Sequence, residues 1–284
     1  MSNTTIFILG MGRSGTSAIA RVLSLCGAAL PSELLGANEG NPRGHWEPLE
    51  ALNLNEDFLL KHGSSWYDPT LRLQREEPPS EETSMFVHQI REFLLASSGD
   101  KPLVIKEPRI TALTKYWFKA AADLSVQVKV VIPVRHPNEV AASLMSRDRI
   151  SVELASMLYV KYSLLAERES RSHPRVFVSY ANLLDDWRRE MGRVSEDLGL
   201  QFTKPDEQGI EEFLSRDLRR QNDSGIPADW VFGTNWISAI HSIVSAAADG
   251  ELCDSTRLDA IFGTFSAMES TFRRSLDEFR VGSS

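Results

Sequence analysis

Thr5-Ile6-Phe7-Ile8-Leu9-Gly10-Met11-Gly12-Arg13-Ser14-Gly15-Thr16-Ser17 is an apolar run that breaks into a glycine-rich turn and then enters a helix. A strand, a tight turn and a helix start in that order aim backbone N–H groups at an anion. Gly10 and Gly15, closed by Ser17, have nearly the spacing of the G-x-x-x-x-G-K-S/T loop that cradles nucleoside triphosphates. Thr16 stands where that loop has its lysine, and the one cation inside the turn is Arg13. The loop suits a phosphate-like group but lacks the lysine that serves β- and γ-phosphates.

Working outward, the pattern predicts strand 4–9, the turn at 10–16 and a helix over 14–27 with Ile19, Leu23 and Cys26 on one face. Residues 36–44 are rich in Gly, Asn and Pro and read as a long irregular loop, a type that is often functional. Helical spacing resumes from Leu49 to Leu60, and 76–82 is a solvated turn opening another helix. A second strand, 102–106, runs into Glu107-Pro108-Arg109 and a helix over 111–124. The third, Val126 to Val134, is almost continuously apolar, as suits a strand buried on both faces of a parallel sheet. It ends in Arg135-His136-Pro137, with Pro137 placed for a helix's first turn. A helix over 151–170, strand 175–180 and a helix over 181–198 follow, and beyond Gly199 the chain reads as mainly helical with an irregular loop at 221–235.

Alternating strands and helices imply parallel βαβ units, hence an α/β, P-loop-type three-layer fold with a central, mostly parallel sheet and a helical C-terminal part. The 284 residues read as one domain, 1–200 an α/β nucleotide-binding core and 201–284 a helical extension. Ligands bind outside the carboxyl ends of such strands. Here those ends carry Arg13, then Lys106 and Arg109, then Arg135, then Tyr180. The formal net charge of −8 argues against nucleic acid as a partner, while leaving room for a local basic pocket. Cys26 and Cys253 lack metal-ligand spacing, and no charged leader with an apolar core or bilayer-length run is present, so a cytoplasmic protein without a membrane span is expected.

Three segments together resemble the sulfotransferases that use 3′-phosphoadenosine-5′-phosphosulfate (PAPS), in the correct order over residues 5–200. Gly10 to Ser17 is similar to that family's 5′-phosphosulfate loop, with its Lys or Arg followed by Ser-Gly-Thr. Arg135-His136-Pro137-Asn138-Glu139-Val140-Ala141-Ala142-Ser143 is similar to its 3′-phosphate motif, an Arg at the strand end and a Ser eight positions on. Val178-Ser179-Tyr180-Ala181-Asn182-Leu183-Leu184 resembles its strand-end Tyr-x-x-Leu, where the tyrosine lies near adenine. The resemblance implies that Gly12, Ser14, Gly15, Thr16 and Ser17 hold the 5′-phosphate. It also implies that Arg13 meets the phosphosulfate and that Arg135 and Ser143 hold the 3′-phosphate. Arg219 and Arg220 are candidates to reach that phosphate from the C-terminal part, or a solvated charge pair. Sulfuryl transfer needs less neutralisation than γ-phosphoryl transfer, so no metal is expected.

An acceptor hydroxyl needs a base. Ile105-Lys106-Glu107-Pro108-Arg109 resembles the Lys-Asp/Glu-Pro-Arg variant of many bacterial and carbohydrate sulfotransferases, and Gly44-His45-Trp46-Glu47-Pro48 gathers a base, an aromatic and an acid. Glu47 is the first candidate for the base, His45 the second and Glu107 the third. Lys106 assists at the sulfonate or pairs with Glu107; Trp46, Glu107 and Arg109 are candidates for acceptor contact, as are Trp66 and Tyr67. His62, His88, His173 and His241 read as structural or surface residues. A sugar or glycoconjugate, or another small molecule, is the expected acceptor. The competing readings are a P-loop kinase or NTPase and a non-catalytic nucleotide-binding relative; oligomeric state is left open.

Overall fold

A computed structural model describes residues 4–38, 41, 43–202, 205–214 and 225–281. Four strands, β1 (Thr4–Ile8), β2 (Leu103–Ile105), β3 (Gln127–Val134) and β4 (Arg175–Ser179), form one all-parallel sheet in the order β2-β1-β3-β4. The chain leaves β1 for β2 on one side and then crosses to β3 on the other. Between β1 and β3 the winding therefore reverses, and the carboxyl ends there open a crevice. Register places Ile8 beside Val131 and Phe7 beside Ile105, so the turn after β1 sits between the ends of β2 and β3.

Alternation within β1 divides the core. Ile6 and Ile8 pack with Val176 and Val178 in a core shared by α1 (Thr16–Leu25), α9 (Trp187–Leu198) and α10 (Glu207–Phe213), with α10 against α1 and α9 against β3 and β4. Phe7 and Leu9 pack to the opposite side with residues of α5 (Ile110–Asp123) and α7 (Val152–Glu169). On that side lie also α2 (Leu49–Lys61), α3 (Arg72–Arg75), α4 (Ser80–Ser97), α11 (Trp236–Ala248) and α12 (Ser255–Val281). The result is the expected three-layer α/β fold. The C-terminal part clasps it from both faces: Ile210 and Leu214 join the α1 side, while Ile240, Val244, Leu258 and Phe265 join the other.

Two boundaries differ from the sequence reading for local reasons. The helix read over 181–198 is two, α8 (Tyr180–Asp185) and α9, because Asp186 adopts φ −145° and its side chain caps α9 by accepting from the Arg189 N–H. Tyr180, read as the last strand residue, is the first of α8, with the Ser179 hydroxyl capping the turn. Pro137 opens α6 (Pro137–Asp148) as anticipated, and within 221–235 the described part holds a single 3₁₀ turn at Asp229–Val231. Among the described residues no helix is long and apolar enough to cross a membrane.

Candidate active site

A cavity of about 710 Å³ opens at the carboxyl ends of the strands, within the range that holds cofactor-sized ligands. Its floor is the turn between β1 and α1. Gly10 and Gly15 have φ of +136° and +97°, and Arg13 is left-handed at +69°. The Gly10 N–H donates to Thr111 Oγ1 at 2.8 Å, pinning the turn to α5. No side chain caps the start of α1, and Gly15, Thr16 and Ser17 at that start line the cavity. Two glycines are required by close approach: a Cβ on Gly12 would stand 2.9 Å from the Trp66 ring, and one on Gly15 would stand 2.5 Å from Tyr180 Cδ2.

The segments read as two halves of one site meet here. Arg13 Nε donates to Ser143 Oγ at 2.9 Å, and Arg135 Nη1 donates to the Arg13 carbonyl at 3.0 Å. Arg135 also donates from Nε to Glu139 at 2.7 Å, and its guanidinium lies 4.9 Å from the Tyr180 ring centre. Burial pushes the Arg13 guanidinium down to about 10, with the charges of Arg147 and Arg135 adding to the effect. In a chain of net charge −8, such crowding of guanidinium groups is a local departure that an anion would relieve.

The opposite wall comes from the loop after α1 and the end of β2. Lys106 Nζ donates to Glu47 Oε1 at 2.5 Å, to the His45 carbonyl at 3.0 Å and to Ser17 Oγ at 3.2 Å, which engages all three of its protons. Its carboxylate partner is therefore Glu47 and not Glu107. Burial alone would raise Glu47, but the Lys106 ammonium holds it below the usual carboxylate range. His45 Nδ1 lies 4.0 Å from Glu47 Oε1. His45 Nε2 is buried without a hydrogen-bond partner among the described residues, and burial lowers the imidazole below 6.5.

Glu107 is fully buried behind the cavity. Its carboxylate accepts from Asn55 Nδ2 at 2.6 Å and Arg109 Nη1 at 2.5 Å, and Asn55 in turn accepts from Trp117 Nε1 at 2.9 Å. Glu107 thus orients Arg109, which lines the cavity, pairs with Glu56 and lies 5.7 Å from the Trp66 ring centre. Trp66 and Tyr67 line the cavity; Trp46 does not. With φ of +58°, Trp46 turns away to sit under Arg21 (4.6 Å) and edge-on to Phe213, donating from Nε1 to the Arg43 carbonyl at 3.0 Å. It anchors the loop against α10. Arg219 and Arg220 lie outside the described residues.

Arg147, Asp148 and Glu56 line the same cavity and were not singled out from the sequence. A helical count from Ser143 puts Arg147 one turn on along the same face, which is the signal that would have found it. His241, read as structural or surface, packs its ring edge-on 4.9 Å from that of His136.

A family model described as "Sulfotransferase family" matches residues 5–204. The chain belongs to the sulfotransferase family. Two solved structures similar to this sulfotransferase are themselves sulfotransferase domains. One, from the Synechococcus PCC 7002 olefin synthase, is 18% identical, covering 92% of this chain and 94% of that one, with a TM-score of 0.48. The other, from the curacin biosynthetic pathway, is 13% identical, covering 92% and 97%, with a TM-score of 0.46. No curated protein matches this sulfotransferase significantly.

Proposed function

We propose that this sulfotransferase moves the sulfuryl group of PAPS to an acceptor hydroxyl, on a sugar or glycoconjugate, without a metal. The observation that carries the reading is the meeting of the β1 turn with the end of β3: Arg13, Ser143 and Arg135, distant in sequence, join in one hydrogen-bonded unit on the cavity floor. The glycine turn leaves room for a phosphate against the start of α1. The Arg135 guanidinium, steadied by Glu139 and Tyr180, supplies a fork for a second phosphate. When bound, PAPS supplies an activated sulfuryl group on a good leaving phosphate.

On the acceptor side, His45 is the better base in this geometry. Glu47 is committed to Lys106, whereas His45 Nε2 makes no hydrogen bond to a described residue and burial favours the neutral ring. His45 Nε2 takes the hydroxyl proton as the acceptor oxygen–sulfur bond forms and the sulfur–oxygen bond to the 5′-phosphate breaks. Arg13 meets the charge left on that phosphate oxygen, a contact worth about 3 kcal/mol in comparable sites. Lys106 holds the loop that carries His45, donating to its carbonyl at 3.0 Å and to Glu47 at 2.5 Å. Trp66 and Tyr67 offer a stacking surface for a sugar ring, with Arg109 and Glu56 beside it for hydroxyl groups.

Thermal unfolding tests the donor. Adenosine 3′,5′-bisphosphate at 100 times its Kd, without magnesium, is expected to add about 2.7 kcal/mol of stability. Stabilisation by Mg-ATP alone would instead support a kinase or NTPase. Transfer of label from PAPS across a panel of sugars, lipids and phenols tests the acceptor; turnover confined to phenols would reject the sugar assignment, and none at all would favour a non-catalytic relative.

A further inference from the structure

We infer that Arg147, held by Asp148, contacts the transferred sulfonate of PAPS and so lets the site distinguish PAPS from adenosine 3′,5′-bisphosphate. The inference rests on the PAPS reading above and adds to it a residue that neither the motifs nor the family match points to.

The cations around the cavity are unequally committed. Lys106 spends its three protons on Ser17, His45 and Glu47. Arg109 is engaged by Glu56 and Glu107, and Arg135 by Glu139 and the Arg13 carbonyl. Arg147 donates through Nε and Nη2 to Asp148, at 2.5 and 2.7 Å, and no hydrogen bond from Nη1 to a described residue is formed. A bidentate partner on the adjacent residue aims the guanidinium without using its last edge.

An arginine in the last turn of a helix is ordinarily a solvated charge that complements the helix dipole. Arg147 is not placed that way. Its side chain is only 24% exposed and that of Asp148 9%, and both line the cavity together with Arg13. Arg13 Nε donates to Ser143 Oγ at 2.9 Å, and Arg147 lies one turn beyond Ser143 on the same helix, so both guanidinium groups reach the same part of the cavity, and the charge of Arg147 helps lower Arg13. Asp148 offsets part of the repulsion between the two guanidinium groups, and an anion bound between them would offset the rest. Arg13 belongs to the turn that faces the leaving phosphate. Arg147 comes from the far end of α6, toward Tyr67 and the acceptor wall, so the group between them is the sulfonate rather than either phosphate. The helix that starts at the Arg135 end of the site therefore finishes on the group being transferred.

The test compares two ligands that differ only by that group. Affinities of PAPS and of adenosine 3′,5′-bisphosphate are measured without acceptor for the wild type, Arg147→Ala and Arg147→Lys. Arg147→Ala should weaken PAPS by about 10–100-fold, the range of one charge-assisted hydrogen bond, and leave the bisphosphate within about twofold. Arg147→Lys, which keeps the charge without the fork, should fall between and serves if the alanine variant does not fold. A wild type that binds both ligands, with variants that lose both equally or neither, overturns the assignment of Arg147 alone. A wild type that binds neither overturns the PAPS reading itself, and this inference with it.

Discussion

Lys106→Met removes one partner of a buried ion pair and leaves Glu47 behind. Lys106 is 3% exposed and Glu47 7%, and their contact is 2.5 Å. Stranding one charge of such a pair costs about 3–5 kcal/mol. With an unfolding entropy of roughly 2.1 cal/mol/K per residue over a chain of this length, that is a fall in Tm of about 5–8 °C. The pH dependence separates this cause from simple loss of packing. In the wild type Glu47 titrates below its ordinary value of 4.5, so its stabilisation is present above 4.5 and is lost as pH falls through the folded value. In the variant, burial acts without the ammonium and raises the folded value above 4.5. The penalty is then absent at low pH and grows as pH rises through the new value. Urea unfolding followed by tryptophan fluorescence should show the full deficit near pH 7.5 and a smaller one near pH 5, about the window where the stranded carboxylate protonates. Lys106→Met combined with Glu47→Gln should recover most of the loss near neutral pH. A deficit under about 1 kcal/mol, or one equal at both pH values, refutes the pairing as the source.

Gly15→Ala meets φ of +97° and the Tyr180 ring at once, so affinity for adenosine 3′,5′-bisphosphate should fall at least about 10-fold; unchanged affinity by calorimetry would show that the turn does not hold the phosphate. Ser143→Ala deprives Arg13 Nε of its 2.9 Å acceptor and should weaken the same ligand by about 3–10-fold, read by the same titration. With an acceptor in hand, His45→Asn should lower kcat by about 10²–10⁴-fold while bisphosphate affinity stays level. The wild-type rate should rise with pH through a value below 6.5 and then plateau, because a base works only when deprotonated; a His45→Asn profile that keeps this limb would place the base elsewhere.

Much of the architecture was legible because it is local. The apolar runs at Thr5, Val126 and Arg175, each followed by helical spacing, announce parallel strands with crossovers, and Pro137 marks a helix start by its fixed backbone angle. Where reading failed, a side chain made a choice that a one-dimensional pattern does not contain. Asp186 ends one helix by capping the next, and Tyr180 passes from strand to helix under the Ser179 cap.

The sequence by itself determined which groups arrive at the carboxyl rim, since strand ends and glycine turns are read from neighbours along the chain. It could not say how they pair there. That Lys106 chooses Glu47 over the adjacent Glu107, and that Glu107 retreats behind Arg109, follows from the approach of the 44–48 loop to the end of β2. That Trp46 anchors while Trp66 faces the cavity depends on the left-handed backbone at Trp46 and on Phe213, far along the chain. Arg147 reaches the site only because α6 has the length to carry it there. Charge pairing and desolvation depend on distances through space, and those are decided by tertiary packing.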